Sequence, residues 1–391
     1  MKITAPTEQV MQLSGEDDQG NALLAVVVKR TYRIERRPGG SADTCVLAEE
    51  QLPLHTLLVD QVDPEIVLQD ADIYPWKPLT DIIVRGHAYP PSERPRFTAS
   101  VSVGPTTKEL SIVGDRRCAT STTGTLLFSE PAPFEKMPLG YDRAYGGVDR
   151  VTEARYGNPY AALLPYMSPN LQKSRHSPYR YPRNGVGKGY LVEESPEALD
   201  ALSLPNIEDP SDRLSPTRLA AGSCRRWPHM PLPWGTDWLS LGCFPRIAYL
   251  GGTTDHEPLD GDFPEVRRGF MPPGYPRQGT LAEVWNGRAR NAGSHGLQLG
   301  PLSPEAIATT EFRLVNLDAK KKTLTFHLPL GAPEISIDGR NGKLLATKPV
   351  LHHVVIEPDQ DRVSVLWRGS GPTLRRHPLE ELLAMPLQVI W

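Results

Sequence analysis

The residue types that do chemistry are present in this chain, but not at working spacings. Ten histidines and four cysteines could serve as metal ligands or nucleophiles. Asp255-His256-Glu257 has ligand-type side chains. Three adjacent residues do not converge on one ion as the i, i+4 histidines of an H-E-x-x-H helix do, and that motif is absent. His352 and His353 are neighbours; on a regular strand neighbours face opposite sides, so the two are not expected to share a metal. Cys45, Cys118, Cys224 and Cys243 lie far apart with no C-x-x-C pair. That argues against a zinc ribbon or redox pair and fits small buried side chains in a reducing cytoplasm. Gly185-Val186-Gly187-Lys188-Gly189 is rich in glycine and carries a lysine. The spacing of a phosphate loop fails, however, and Tyr190 stands where a magnesium-binding hydroxyl is needed. No G-x-S-x-G elbow occurs. The reading therefore names no catalytic residue, no metal site and no cofactor.

The sharpest chemical pattern is one of charge and rings. Residues 154–192 contain no acid but hold Arg155, Lys173, Arg175, Arg180, Arg183 and Lys188, with six of the thirteen tyrosines. The next stretch, 193–212, carries seven acids and no base. Basic residues interleaved with rings suit single-stranded nucleic acid, the bases supplying stacking and the phosphates charge. The alternative is that the acidic stretch folds back on the basic one, which the net charge of −3 favours, so nucleic acid is not the expected partner. A protein partner is a third reading, since arginine and tyrosine are preferred interface residues. Of the 43 basic residues 31 are arginine, the better residue for fixed bidentate contacts, although a high-GC genome produces the same bias.

These residues must be positioned by β-structure. The chain has 391 residues, 39% of them hydrophobic, so a sizeable core is available and whole-chain disorder is excluded. Forty prolines and 33 glycines argue against long helices. Strand patterns occur at 22–35, 81–87, 96–103, 108–113 and 123–128, then at 311–315, 323–328, 334–337, 343–346, 353–356 and 363–367. The late group, joined by turns such as Asp338-Gly339, reads as a β-meander. Short helices are predicted after Ser195-Pro196 and Ser303-Pro304 and over 378–385. The expected fold is mainly β: antiparallel sheets, sandwich-like or curved, with long Pro/Gly-rich loops and a few short helices. It is expected as a single domain over 1–391, with a β region at 1–129, a loop-rich centre at 130–300 and the meander with its short helix at 301–391. No apolar signal core occupies the first twenty residues, and the run at 22–28 is too short to span a bilayer. No membrane association is expected, and the expected localisation is cytoplasmic.

Five stretches together resemble a bacterial family, domain of unknown function family 2169. The most specific runs from Phe134 to Gly147: Phe-Glu135-Lys-Met-Pro138-Leu-Gly-Tyr141-Asp142-Arg143-Ala-Tyr145-Gly146-Gly147. The others are Val28-Lys29-Arg30-Thr31-Tyr32, Asp81 to Ala88, Tyr181-Pro182-Arg183-Asn184-Gly185-Val186-Gly187-Lys188-Gly189-Tyr190, and Leu204-Pro205-Asn206-Ile207-Glu208. Gly185 replaces the family's usual proline, and 231–238 (PLPWGTDW) replaces its glycine-phenylalanine-glycine stretch. The resemblance implies a non-enzymatic role: an adaptor, or chaperone, that binds a type VI secretion effector and helps load it onto the spike of VgrG and PAAR proteins. The residues themselves read as structural, with glycines for turns and Asp142–Arg143 as a buried ion pair pinning an irregular loop, the alternative for that pair being direct partner contact.

The contact surface is expected in 154–192 and 227–245, at Arg175, Tyr179, Arg180, Tyr181, Trp227, Trp234 and Trp238. Proline-stiffened loops there carry anchor-type side chains at low ordering cost. The competing functions are a hydrolase with an unfamiliar site, a single-strand nucleic-acid binder, and a toxin in its own right.

Overall fold

The computed structural model describes residues 2–17, 21–37, 42–55, 58–59, 61, 67–69, 71–77, 79–92, 94–157, 179, 186–192, 195–200, 202–210, 213–220, 297–300, 302–329, 331–339 and 343–391. The fold is mainly β, with short helices. One sheet holds the strands β1 (Val10–Glu16), β2 (Ala22–Glu35), β3 (Asp43–Leu47), β4 (Thr80–Val84), β5 (Arg96–Val103), β6 (Thr106–Val113), β7 (Ile207–Glu208), β8 (Gln298–Leu299), β9 (Glu311–Val315), β10 (Thr323–His327), β11 (Val350–Glu357) and β12 (Arg362–Pro372). Their order is β7-β6-β5-β9-β10-β3-β2-β12-β11-β4-β8, and β1 pairs with the first half of β2.

The expected β2 and β5 form over the predicted residues, but the pairing departs from expectation in two ways. β4 lies parallel to β11, and β3 parallel to β10. Both pairings join the two ends of the chain, which no local pattern encodes. The late strands form three hairpins rather than one meander. The first and third join the large sheet. The second, Glu334–Asp338 with Leu344–Ala346, joins Gln388–Ile390 and Lys2–Ile3 in a separate sheet of four strands. That sheet packs closely on the end of β12, where a Cβ on Gly369 would overlap Thr347 and Ile335.

The large sheet curls around its own core. Val26, Val28, Ile82, Val101, Ile112, Phe312, Phe326, Ile356, Val365 and Trp367 belong to one buried cluster drawn from strands all along the sheet. Phe312 and Phe326, directly opposed across β9 and β10, stack with centroids 5.3 Å apart. Burying each such ring contributes roughly 2–3 kcal/mol. β2 is longer than either of its neighbours on one edge, β1 and β3, and between them the Thr31 amide would lack a partner. The Gln51 side chain fills the gap, accepting from Thr31 N at 2.9 Å and donating to Thr31 O at 3.0 Å.

On the opposite face a polar group is buried against residues 52–55 and 71–77. Lys29 Nζ donates to Asp72 Oδ2 at 2.7 Å, and His353 Nε2 lies 2.9 Å from Asp72 Oδ1. Lys77 pairs with Asp81. A bulge in β11 between Leu351 and His353 changes the expected geometry: the register shifts there, so His352 and His353 both face this polar side, near Lys77. Burial, then Arg368 and Lys77, holds the His352 imidazole well below its ordinary range. Burial also lowers His353, against the pull of Asp72. Burial opposes ionisation of Asp72, but His353 and Lys29 outweigh it and keep the carboxylate charged.

Both imidazoles therefore take up a proton less readily in the folded chain than in the unfolded one, where they protonate near pH ~6.5. As pH falls below that value the unfolded chain takes up protons first, and stability drops by up to about 1.4 kcal/mol per pH unit per histidine. Urea melts from about pH 7.5 to about 5.5 will show this loss, and His352→Leu will make it shallower.

Candidate functional site

The three most specific family-type motifs converge at one junction. Phe134 stacks on Phe97 with centroids 5.9 Å apart, and Met137–Pro138 pairs antiparallel with His87–Ala88. Leu139 N donates to Gly86 O at 2.9 Å. The chain then turns through a single 3-10 turn at Tyr141–Arg143. Tyr141 and Tyr145 are buried, and Glu135 stands exposed. Tyr145–Gly146 pairs parallel with Lys188–Gly189. Lys188 N donates to Ala144 O at 2.9 Å, and Tyr190 N to Gly146 O at 3.0 Å. Gly147 sits at φ +101°, where a Cβ would collide with the Gly187 carbonyl oxygen. The backbones of two motifs are thus zipped together at a position that only glycine allows.

Asn206, from the third motif, closes the junction. It is fully buried. Its backbone N donates to Arg143 O at 2.8 Å, and its carbonyl accepts from Val113 N at 2.8 Å. Its side-chain Nδ2 donates to Val113 O at 3.1 Å and Asp115 Oδ1 at 3.0 Å, while Oδ1 accepts from Lys188 Nζ at 2.9 Å. Every donor and both acceptors of Asn206 are in use. Two residues on, Glu208 is equally buried: its Oε1 accepts from Arg116 Nη2 at 2.8 Å, and Arg96 Nη1 lies 3.5 Å from Oε2.

Asp142 and Arg143 do pair, with 3.0 Å between Oδ2 and Nε, but each side chain is about 30% exposed. The expectation of a buried pair is corrected: the 3-10 turn leaves both side chains at the rim, beside Asp115 and Lys188. The hydrogen bond from Asn206, then Lys188 and Arg143, keeps the Asp115 carboxyl below its ordinary range. Burial and the Arg143 guanidinium pull the Lys188 ammonium down.

A second polar group lies next to the first motif. His87 Nδ1 is 2.7 Å from Asp359 Oδ2, and Tyr89 OH donates to Asp359 Oδ1 at 2.8 Å. Burial of Asp359 is outweighed by these two bonds, and its carboxyl stays ionised. This cluster escaped the sequence reading because Asp359 reaches His87 only through the parallel pairing of β4 with β11. Asp115 escaped it too, since it lies in none of the motifs.

Of the expected contact residues, Tyr179 is half-buried and its carbonyl accepts from Asp149 N at 3.0 Å. Arg175, Arg180, Tyr181, Trp227, Trp234 and Trp238 lie outside the described residues, as does Asn184. The expected fold-back of acid on base has one described instance, Arg155 with Glu197 at 3.5 Å. Among the described residues no group of three or more His, Cys, Asp or Glu could hold a metal ion, and no helix is long and apolar enough to cross a membrane.

A curled, mainly β scaffold in which three of the five motifs meet at one hydrogen-bonded junction defines the class of protein. The model of the family described as "Uncharacterized protein conserved in bacteria (DUF2169)" matches residues 19–368, and the chain belongs to that family. No match is found among curated proteins or solved structures.

Asn206→Leu leaves the Val113 carbonyl and Lys188 without a buried partner, and a loss of about 3 kcal/mol is expected in denaturant melts. Gly147→Ala combines a strained φ with a backbone collision, and is expected to cost about 2 kcal/mol or more.

Proposed function

We propose that the protein is a non-enzymatic adaptor, or chaperone, which binds a type VI secretion effector and helps load it onto the VgrG/PAAR spike. The resemblance of the motifs to that family suggests the reading, and one observation supports it: Lys188 and Asn206, from two different motifs, are spent on binding each other. Asn206, Glu208 and Lys188 of the motifs, with Asp115 outside them, are committed to a lock, as a scaffold requires and a reaction centre does not.

The same scaffold holds the ends of the basic, tyrosine-rich segment. Asp149 is buried; its Oδ1 accepts from Thr152 N at 2.9 Å, capping the helix Arg150–Tyr156, and its Oδ2 accepts from Val192 N at 2.8 Å. Its own N donates to Tyr179 O. The described residues on either side of 158–178 are thereby tied to one aspartate. A segment with fixed roots loses less entropy when it engages a partner.

A hydrolase is the second reading, favoured by one observation: Asp359 holds His87 Nδ1 as a carboxylate holds the general base of a catalytic dyad. His87→Ala separates the two. The adaptor reading expects it to leave complex formation intact and no hydrolytic activity to be lost.

The adaptor reading is tested by co-purification with the effector encoded beside the gene. Trp234→Ala with Trp238→Ala is expected to lower complex yield about tenfold. Unchanged yield removes that contact surface. Absence of any complex from the unaltered chain, or growth arrest on its expression alone, overturns the adaptor reading itself.

A further inference from the structure

The small sheet ends on the strand Leu344–Ala346, and among the described residues its outer edge is open. Thr347 N donates to Ile335 O at 2.8 Å, and Gly339 N to Lys343 O at 2.7 Å. These bonds set the phase of the ladder with Glu334–Asp338, which pairs Leu345 opposite Ile337. Leu345 therefore turns its amide and carbonyl inward, while those of Leu344 and Ala346 point outward. Among the described residues no hydrogen bond uses these outward groups. Leu344 and Leu345 are 43% and 50% exposed.

Natural sheet edges are usually covered, bulged or charged. This one borders a groove of about 600 Å³, walled by Pro304, Ala308, Ala332, Pro333, Ile335 and Pro349. Glu305 and Glu334 stand exposed at the groove with Lys348, so its charge is negative on balance. A row of alternating outward N–H and C=O groups is complementary to extended backbone and to little else. An apolar groove beside it accepts a side chain from that backbone, and the two carboxylates favour a cation.

We propose that this edge and groove form a docking site for an extended segment of a partner protein. The segment adds a strand to Leu344–Ala346, seats an apolar side chain in the groove and sets a lysine or arginine against Glu305 and Glu334. That the segment comes from an exported effector or a spike protein rests on the adaptor reading; the edge chemistry does not.

The test uses a phage-displayed library of random peptides, each long enough for one strand, selected on the immobilised full-length protein. Enriched peptides are expected to carry apolar and basic residues in alternation, and to slow amide exchange at Leu344 and Ala346. Ala346→Pro removes only an outward N–H, so the protein's own ladder survives. Its melting temperature is expected to stay native while peptide affinity falls about tenfold or more. If that variant does not fold, Glu305→Lys with Glu334→Lys replaces it, and is expected to lose the basic peptides. Failure to enrich any peptide, equal binding by the variants, or protection at other amides overturns the proposal. A dimer on gel filtration that Ala346→Pro disperses assigns the edge to a second copy and also overturns it. An effector complex that forms but ignores these variants removes this site and leaves the adaptor reading standing.

Discussion

The Asn206 side chain is the constraint on which the rest of the described centre depends. A buried amide must satisfy two donors and an acceptor, and here each partner comes from a different place: the end of β6, Asp115, and Lys188. The Asn206 backbone adds Arg143 to the set. One residue thereby decides where the 3-10 turn and the stretch 186–189 stand relative to the large sheet, whose outermost strand β7 follows it directly. The penalty for an unsatisfied buried amide makes the arrangement all-or-none. The close approach at Gly147 follows from it, because the two backbones are drawn together until no Cβ fits between them.

The large sheet supplies a rigid floor for that junction. One side is apolar and continuous, while on the other side Lys29, Asp81, His352, His353 and Arg368 are buried together with Asp72 and Lys77 of the described stretch 71–77. Buried charge is tolerated where it is paired. Asp72 is paired twice over, with Lys29 and His353, whereas Arg368 is lowered to about 10 by burial alone. The polar side therefore specifies how 71–77 lies on the sheet more than it adds stability, and it makes this contact an acid-sensitive part of the fold.

Much of the scaffold was legible in the sequence because it rests on local patterns. The apolar run followed by alternation at 22–35 is β2, and Ser303-Pro304 caps its helix as predicted, Ser303 Oγ accepting from Ala306 N at 3.2 Å. What was not legible depends on contacts distant in sequence. The parallel pairings of β4 with β11 and β3 with β10 have no local signature, and neither has the splitting of the late hairpins between two sheets. Period-two reasoning separated His352 from His353, and one extra residue in β11 reversed it. At the site, motif spacing drew attention to Asn206 and Lys188, but Asp115 and Asp359 became visible only through the folded geometry.

The central claim is that the motifs form one cooperative lock rather than a reaction centre. Amide hydrogen exchange on Asn206→Ala, compared with the unaltered chain, tests it most directly. The account predicts that Lys188, Tyr190 and the Arg143–Ala144 turn lose protection together, while β2 and β12 keep theirs. If those amides keep native protection, or open independently of one another, the motifs are not coupled through Asn206 and the account is contradicted.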